Sequence, residues 1–214
     1  MKSYIYPAEG CRVSYMSSLL PIDRLRAIGP IFRSGEAVEI GVSWRDLYAL
    51  RDAGELLELS RGLYQLRDSA GIDNIDFIAV CMRAPGSMIC LNSALAHWDL
   101  TDEIPPVVHV AVPKGAHRPV VDYPPTEVHV FNAASFDVGR LEVAHGERER
   151  FAITSRERSV VDAFRLRHLV GQEVANEAIR RYLKSRPKIA LLTEVGKKLR
   201  AGEAFADTIR LLLT

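Results

Sequence analysis

The sequence predicts an α+β protein with an N-terminal winged helix-turn-helix, followed by a mixed α/β domain that has a small antiparallel sheet and a C-terminal helical bundle. Three patterns predict this fold class. Residues 40–66 combine a capped helix with two short strands joined at a glycine turn. Alternating runs between residues 107 and 153 indicate strands, and apolar residues at helical spacing mark the C-terminal part. Because residues 67–71 are polar and short, we expect domains at 1–70 and 71–214, with residues 1–16 as an N-terminal arm.

Composition places the chain among ordinary folded proteins, since its 214 residues are 48% hydrophobic. No apolar run approaches the roughly 20 residues that span a bilayer, and the N-terminus lacks the apolar core of a signal peptide. We therefore expect a cytoplasmic protein. The three cysteines, Cys11, Cys81 and Cys90, show no paired spacing, so we expect buried free thiols rather than disulfides or a zinc cluster.

Charge is distributed unevenly along the chain. Residues 1–70 carry nine basic and nine acidic side chains, residues 71–150 carry six and eleven, and residues 151–214 carry thirteen and seven. The winged helix is therefore not basic overall. Nonspecific DNA affinity grows with the number of phosphates neutralised. To bind DNA well, this winged helix therefore needs further contacts or help from the basic C-terminal third.

The N-terminal helices follow from their caps and stops. We expect a first helix over residues 17–28, with Pro21 in its opening turn, and a second over residues 32–40. Gly41 ends the second helix, Ser43 caps the third, and Gly54 stops the third after about three turns. Strands at residues 56–59 and 63–66, joined at 60–62, then form the wing.

The third helix has the features of a recognition helix. Leu47 and Leu50 share its buried side, and insertion of its N-terminus into a major groove brings side chains to base edges and phosphates. Asp46 and Asp52 oppose this use, and winged helices also serve as protein-docking modules, so both functions stay open. The residues that we expect to contact DNA are Ser43, Trp44, Arg45, Tyr48, Arg51 and, at the wing tip, Arg61.

The middle of the chain predicts helices and paired strands. Asp73 or Asn74 caps a helix that runs to Arg83, and residues 88–98 form another that ends near His97. Residues 107–112 and 127–131 look like antiparallel strands. His97 is expected to be a hydrogen-bonded, partly buried imidazole rather than a catalytic base, because no nucleophile accompanies it.

Two histidines and two basic clusters are weighed as binding sites. His109 and His129 can face one another across the paired strands, but without a third ligand in view we expect no metal site. Lys114 and Arg118, with His117, lie on a loop that either binds a phosphate or acidic partner or is simply solvated. The other cluster, which exceeds what helix capping needs, suggests a surface for an acidic partner or nucleic acid and comprises Arg180, Arg181 and Lys184.

The C-terminal part predicts a hairpin and four helices. Residues 141–145 and 148–153 alternate as strands. Thr154 and Glu157 fit a capping box that opens the next helix, and Asp162 lies within reach of Arg158 or Arg165 as a structural ion pair. Helices at 172–184, 189–199 and 203–213 close the bundle.

Catalytic motifs give no support to an enzyme. The sequence has no glycine-rich phosphate loop, no nucleophile elbow and no His-Glu-x-x-His segment. Gly86 and Ser87 begin like a nucleotidyltransferase motif, but Asp99 and Asp102 have the wrong spacing for a two-metal pair. We therefore expect no catalytic residue and no cofactor.

Four segments in order resemble the AbiEi-type antitoxins of bacterial type IV toxin-antitoxin systems, which act in abortive infection and phage resistance. The likeness spans residues 17 to about 185. It lies in the helix and wing motif that runs from Gly41 to Tyr64, in Asn-Ser-Ala-Leu at 92–95, in Val-His-Val-Ala-Val-Pro at 108–113, and in the Ile-Thr-Ser…Glu-Arg-Ser-Val-Val-Asp-Ala segment at 153–163.

The resemblance implies a division of labour between two domains. The winged helix represses the promoter of its own operon, and the domain at 71–214 counteracts a cognate nucleotidyltransferase-like toxin without needing a stable complex with it. Double-stranded promoter DNA and that toxin are the implied partners. The alternative is a winged-helix module that no longer contacts DNA and instead docks a protein or senses a ligand.

Overall fold

The computed structural model of the chain describes residues 19–69, 73–145 and 149–212. The chain forms two compact units, unit 1 and unit 2, that divide between Asp73 and Asn74. The predicted α+β class is confirmed, with helices and a small antiparallel sheet in unit 1 and further helices at the C-terminal end. Within the described ranges, no helix has the length and apolar character needed to cross a bilayer. The predicted N-terminal arm and Cys11 lie outside these ranges.

Unit 1 has the element order of a winged helix. Helix α1 begins at Pro21, which occupies the first helical position, where no backbone donor is needed. Residues 17 and 18 of the predicted first helix lie outside the described ranges. The elements are α1 Pro21–Ile28, β1 Ile31–Arg33, α2 Ser34–Glu39, α3 Trp44–Asp52, β2 Leu56–Ser60, β3 Leu63–Leu66 and a 3₁₀ turn at Arg67–Ser69.

The sheet of unit 1 corrects the predicted second helix. Residues 31–33 form β1, so the helix begins at Ser34 and not at Phe32. β3 is the central strand, with β1 and β2 antiparallel on either side, and Phe32 lies opposite Tyr64 with the rings 6.1 Å apart. Pairing with the open edge of β3 buries two apolar side chains, which outweighs local helix preference. The core comprises Leu25, Phe32, Ala37, Val42, Leu47, Leu56, Tyr64 and Leu66.

Unit 2 contains a five-stranded mixed sheet in the order β6-β5-β4-β8-β7. Its elements are α4 Ile75–Arg83, β4 Met88–Ile89, α5 Leu91–His97, β5 Val108–Pro113, β6 Thr126–Phe131, a 3₁₀ turn at Ala133–Ser135, β7 Arg140–His145, β8 Glu149–Thr154, α6 Arg156–Arg165, α7 Arg167–Val170, α8 Gln172–Lys184, α9 Ile189–Lys198 and α10 Gly202–Leu212. The hairpin β7–β8 and the last three helices confirm their predictions, apart from one residue at some ends.

The pairing of β5 with β6 differs from the prediction. The two strands run parallel, with His109 opposite Glu127 and Ala111 opposite His129. Residues 114–125 form a long connection that brings the chain back to start β6 beside the start of β5, as a parallel pair requires. The antiparallel assignment was wrong because alternation along a strand does not reveal the direction of its neighbour.

Three local predictions in unit 2 are also corrected. Met88 and Ile89 are a buried strand between β5 and β8, so the predicted helix at 88–98 begins only at Leu91. Asn74 precedes α4 with a φ of 60°, and its side chain makes no capping hydrogen bond. The cap of α6 is Ser155 and not Thr154, which ends β8. Strand pairing explains the first and third corrections, and the contact of Asn74 with His97 explains the second.

Candidate nucleic-acid interface

The start of α3 is fixed by its cap. The backbone N–H of Asp46 donates to Ser43 Oγ at 3.2 Å, and the Ser43 hydroxyl donates to the Asp46 carboxylate at 2.7 Å. This hydrogen bond from Ser43, with the charges of Arg45 and Arg24, lowers the pKa of Asp46 below its ordinary value. The hydroxyl of Ser43 therefore supports the helix, and an ionised Asp46 lies beside the positive helix N-terminus.

The exposed face of α3 is aromatic and carries the guanidinium of Arg45, which is called uncommitted because no described residue forms a hydrogen bond or ion pair with it. The residues Trp44 and Tyr48 are 49% and 44% exposed, with rings 6.1 Å apart. Arg45 is exposed on the same turn, and within the described ranges it makes no hydrogen bond or ion pair. On the opposite side Leu47 is fully buried and Leu50 is partly buried against the core. The predicted division into a buried and an outward side is therefore present.

Arg51 has a different role from Arg45. Its guanidinium binds Asp52 at 2.9 Å and Glu58 at 3.3 Å, and it lies 4.9 Å from the centre of the Tyr48 ring. The first contact lies within the end of α3 and the second ties the helix to β2. Two carboxylates offset the charge of Arg51, so it positions Tyr48 and contributes little attraction for phosphate.

The wing tip is a two-residue turn between β2 and β3. Gly62 has a φ of +74°, which glycine adopts without strain, and its carbonyl accepts from the backbone N–H of Ser34 at 2.9 Å. A Cβ at this position would lie 3.1 Å from Ser34 Oγ. Arg61 is exposed at this anchored turn. The predicted wing contact is thus a cation held on a short, well-supported hairpin.

Arg24 is a residue of the site that the sequence pattern did not reveal. Its Nη1 donates to the Gly41 carbonyl at 3.0 Å, and its Nε donates to the Leu19 carbonyl at 3.1 Å. The first contact stabilises the turn between α2 and α3 and so helps to set the orientation of α3. Because the partner lies far along the chain, no helical spacing could have indicated it.

The basic clusters of unit 2 divide into exposed and engaged side chains. Lys114 and Arg118 are exposed on the connection between β5 and β6, and Arg180 and Lys184 are exposed on α8. Arg181 instead binds Asp102 at 2.9 Å and Glu177 at 2.6 Å, which joins α8 to the segment after α5. Arg181 is therefore a structural contact, and the other four remain candidates for binding.

A second group of titratable side chains lies at the edge of the sheet in unit 2. His109 Nδ1 lies 3.0 Å from His129 Nε2, and carboxylate oxygens of Glu127 lie 3.8 Å from each nitrogen. Burial lowers the pKa of both histidines. The pairing of the two histidines was predicted from the sequence, but the part of Glu127 was not, although the spacing of 127 and 129 places both on one face of a strand.

His97 is a packed imidazole, as predicted. Its Nδ1 lies 3.1 Å from Asn74 Oδ1, and aromatic rings of Phe77, Trp98 and Phe151 surround it. Burial lowers its pKa. Cys81 and Cys90 are free thiols, and burial raises the pKa of Cys81 to about 11. Such a thiol is protonated and unreactive at neutral pH.

Comparison with known proteins finds a family model that is similar to unit 1. Residues 21–67 match the family model described as "Transcriptional regulator, AbiEi antitoxin". The match covers all three helices and the wing of unit 1, confirms the predicted resemblance there, and supports a role as a regulator and antitoxin. That family is one of regulators and not of enzymes. No curated protein matches the chain.

Proposed function

We propose that this protein is a transcriptional autorepressor and antitoxin whose unit 1 binds double-stranded promoter DNA and whose unit 2 counteracts a cognate nucleotidyltransferase-like toxin. The observation that carries the DNA-binding half is the exposed, uncommitted Arg45 between Trp44 and Tyr48, at the start of a capped helix with a wing behind it. The match of this region to a regulator family supports the same function.

In this proposal, the exposed side chains have different tasks. With the N-terminus of α3 in a major groove, Arg45 reaches base edges or phosphates, and its planar guanidinium pairs in a bidentate way with guanine. Trp44 and Tyr48 present apolar rings that pack on sugars or thymine methyl groups. Arg61 at the wing tip reaches the neighbouring phosphates, which fixes orientation rather than sequence.

The charge of unit 1 sets the expected strength of binding. Its described residues include seven basic and nine acidic side chains, and Asp46 stands at the start of α3. A single unit therefore gains little from nonspecific attraction, and the salt dependence should correspond to few phosphates. Useful affinity then requires two copies on neighbouring sites or added contacts from the exposed cations of unit 2.

The experiment is a fluorescence anisotropy titration of the full-length protein against its own upstream DNA at two salt concentrations. Each of Arg45→Ala and Arg61→Ala should weaken binding about tenfold or more, and the latter should reduce the salt slope by about one. Arg26→Ala is the matched control within unit 1, because Asp23 and Asp68 already bind that guanidinium, and it should leave the DNA affinity unchanged.

The competing function is protein docking through the same face. Two exposed aromatic rings on a nearly neutral surface also suit a protein interface. Absence of saturable DNA binding at low salt, or equal affinity of wild type and the Arg45→Ala, Arg61→Ala double variant, would contradict the repressor and favour docking.

The antitoxin half is tested separately by co-expression with a nucleotidyltransferase-like toxin encoded beside the gene. The double variant Arg45→Ala, Arg61→Ala should fail to repress the promoter and still restore growth, since unit 2 is unchanged. Rescue without co-purification of the two proteins supports opposition without a stable complex. Persistent toxicity with the wild type at equal expression would reject this half.

A further inference from the structure

Two neighbouring strands of unit 2 bring three potential metal ligands to one place. β5 and β6 are parallel, and their register sets His109 directly opposite Glu127. Residues that face one another across a sheet share a face, and so do residues two apart along a strand. His129 therefore joins the other two on that face. Because β6 is an edge strand, the group lies at the margin of the sheet.

The ligand atoms lie within a few tenths of an ångström of the spacing of a tetrahedral site. The Nδ1 atom of His109 and the Nε2 atom of His129 are 3.0 Å apart, and Glu127 oxygens lie 3.8 Å from each of them. An ion about 2.0–2.2 Å from its ligands in tetrahedral geometry sets those ligands roughly 3.3–3.6 Å apart. The N–N separation is shorter than this range, and the two N–O separations, to different oxygens of Glu127, are longer. The side chains therefore rotate before their ligand atoms converge on one ion.

The hydrogen-bonding arrangement leaves Glu127 available. Its separation of 3.8 Å from either imidazole is too long for a hydrogen bond, and its side chain is 55% exposed. One imidazole donates a hydrogen bond to the other along their 3.0 Å contact. A bound cation would replace the proton of that hydrogen bond. The backbone of His109 is held on both sides, since its N–H donates to Ser93 Oγ and its carbonyl accepts from Cys90, each at 2.9 Å.

We propose that His109, Glu127 and His129 bind a divalent transition-metal ion, with zinc as the best match to two imidazole nitrogens and one carboxylate. The two imidazoles are 11% and 9% exposed, so the ion is partly shielded from water. Three protein ligands leave a fourth position for water on the side of the exposed carboxylate.

The test is metal titration of the chelator-treated, full-length protein. Co²⁺ should give the visible absorption bands of a tetrahedral site with one ion per chain, and Zn²⁺ should abolish those bands by displacement. Zn²⁺ should also raise the thermal midpoint, because it binds only the folded chain. Glu127→Gln keeps the size of an exposed side chain and should weaken Zn²⁺ binding at least about tenfold, and His129→Gln should weaken it further.

His117→Gln is the matched control, since it removes an exposed histidine of the connection between β5 and β6 and leaves the three ligands intact. It should bind one Zn²⁺ with the affinity of the wild type. Absence of stoichiometric Co²⁺ or Zn²⁺ binding by the wild type would overturn the proposal. Equal affinity in Glu127→Gln, His129→Gln and wild type would overturn it as well, by placing the ion elsewhere.

Discussion

Helices α3 and α6 begin in the same way and use arginine in opposite ways. Ser43 and Ser155 each accept a hydrogen bond from the backbone N–H three residues later. Beyond the cap, Arg45 on α3 is exposed and uncommitted within the described residues, whereas Arg158 on α6 is 1% exposed. The charge of Arg45 on α3 is therefore accessible to an external ligand, whereas the charge of Arg158 on α6 stabilises the fold.

The surroundings of Arg158 show how a buried charge is accommodated. Its Nε donates to Asp162 at 3.1 Å, and its Nη1 donates to the carbonyls of Ser135, Phe136 and Val138. Asp162 is 2% exposed and also pairs with Arg165 at 3.1 Å. A buried ion pair is stable only when such partners compensate desolvation. The two helices show that an arginine indicates a binding site only where no carboxylate or carbonyl of the fold already accepts its hydrogen bonds.

The largest expected effect comes from removing the carboxylate that balances Arg158. Asp162→Ala leaves that guanidinium buried without its counter-ion and should lower the free energy of unfolding by about 3–5 kcal/mol, as measured by urea denaturation. Asp207→Ala, which breaks the exposed pair with Arg210, should change it by less than about 1 kcal/mol. Similar losses in both variants would show that burial does not distinguish the two pairs.

A smaller loss of stability is expected from a substitution at Gly139, where the backbone lies close to Arg158. Gly139 has a φ of +66°, and a Cβ there would lie 2.9 Å from Ser155 Oγ and 3.0 Å from Arg158 Cβ. Gly139→Ala should therefore lower the free energy of unfolding by about 1–3 kcal/mol through strain and a close contact. Gly86→Ala separates these causes, because Gly86 has a φ of +84° with open space around it. An equal loss in both variants would leave strain as the sole cause.

The smallest effect on stability is expected on α3. Arg45→Ala should leave the free energy of unfolding within about 0.5 kcal/mol of wild type, because the exposed side chain makes no hydrogen bond or ion pair within the described residues. Denaturation and anisotropy on the same preparation check both properties. A stable variant with weakened DNA binding supports the comparison, whereas a destabilised one would show that Arg45 has a structural role.

Sequence reasoning worked best where local chemistry decides the structure. Ser43 was identified as a cap and Gly54 as a stop, and the boundaries of α8 were predicted to the residue. The turn predicted at 60–62 is present at 61–62, because Ser60 still belongs to β2. Arg45 and Tyr48 were likewise placed on an exposed face, with Trp44 at its flank, from helical periodicity alone. The same reasoning did not show that Arg51 and Arg181 are held by carboxylates from other elements.

The sequence by itself determined the cap and the stop of α3, the amphipathic faces and the winged-helix character of unit 1, because these depend on neighbours within a few residues. Only the tertiary structure decided that residues 31–33 and 88–89 are strands, that β5 and β6 run parallel, and that Glu127 joins His109 and His129. Those features depend on which strand edge is available and on the register across it. Such contacts join distant residues, whose pairing leaves no periodic signal in one sequence.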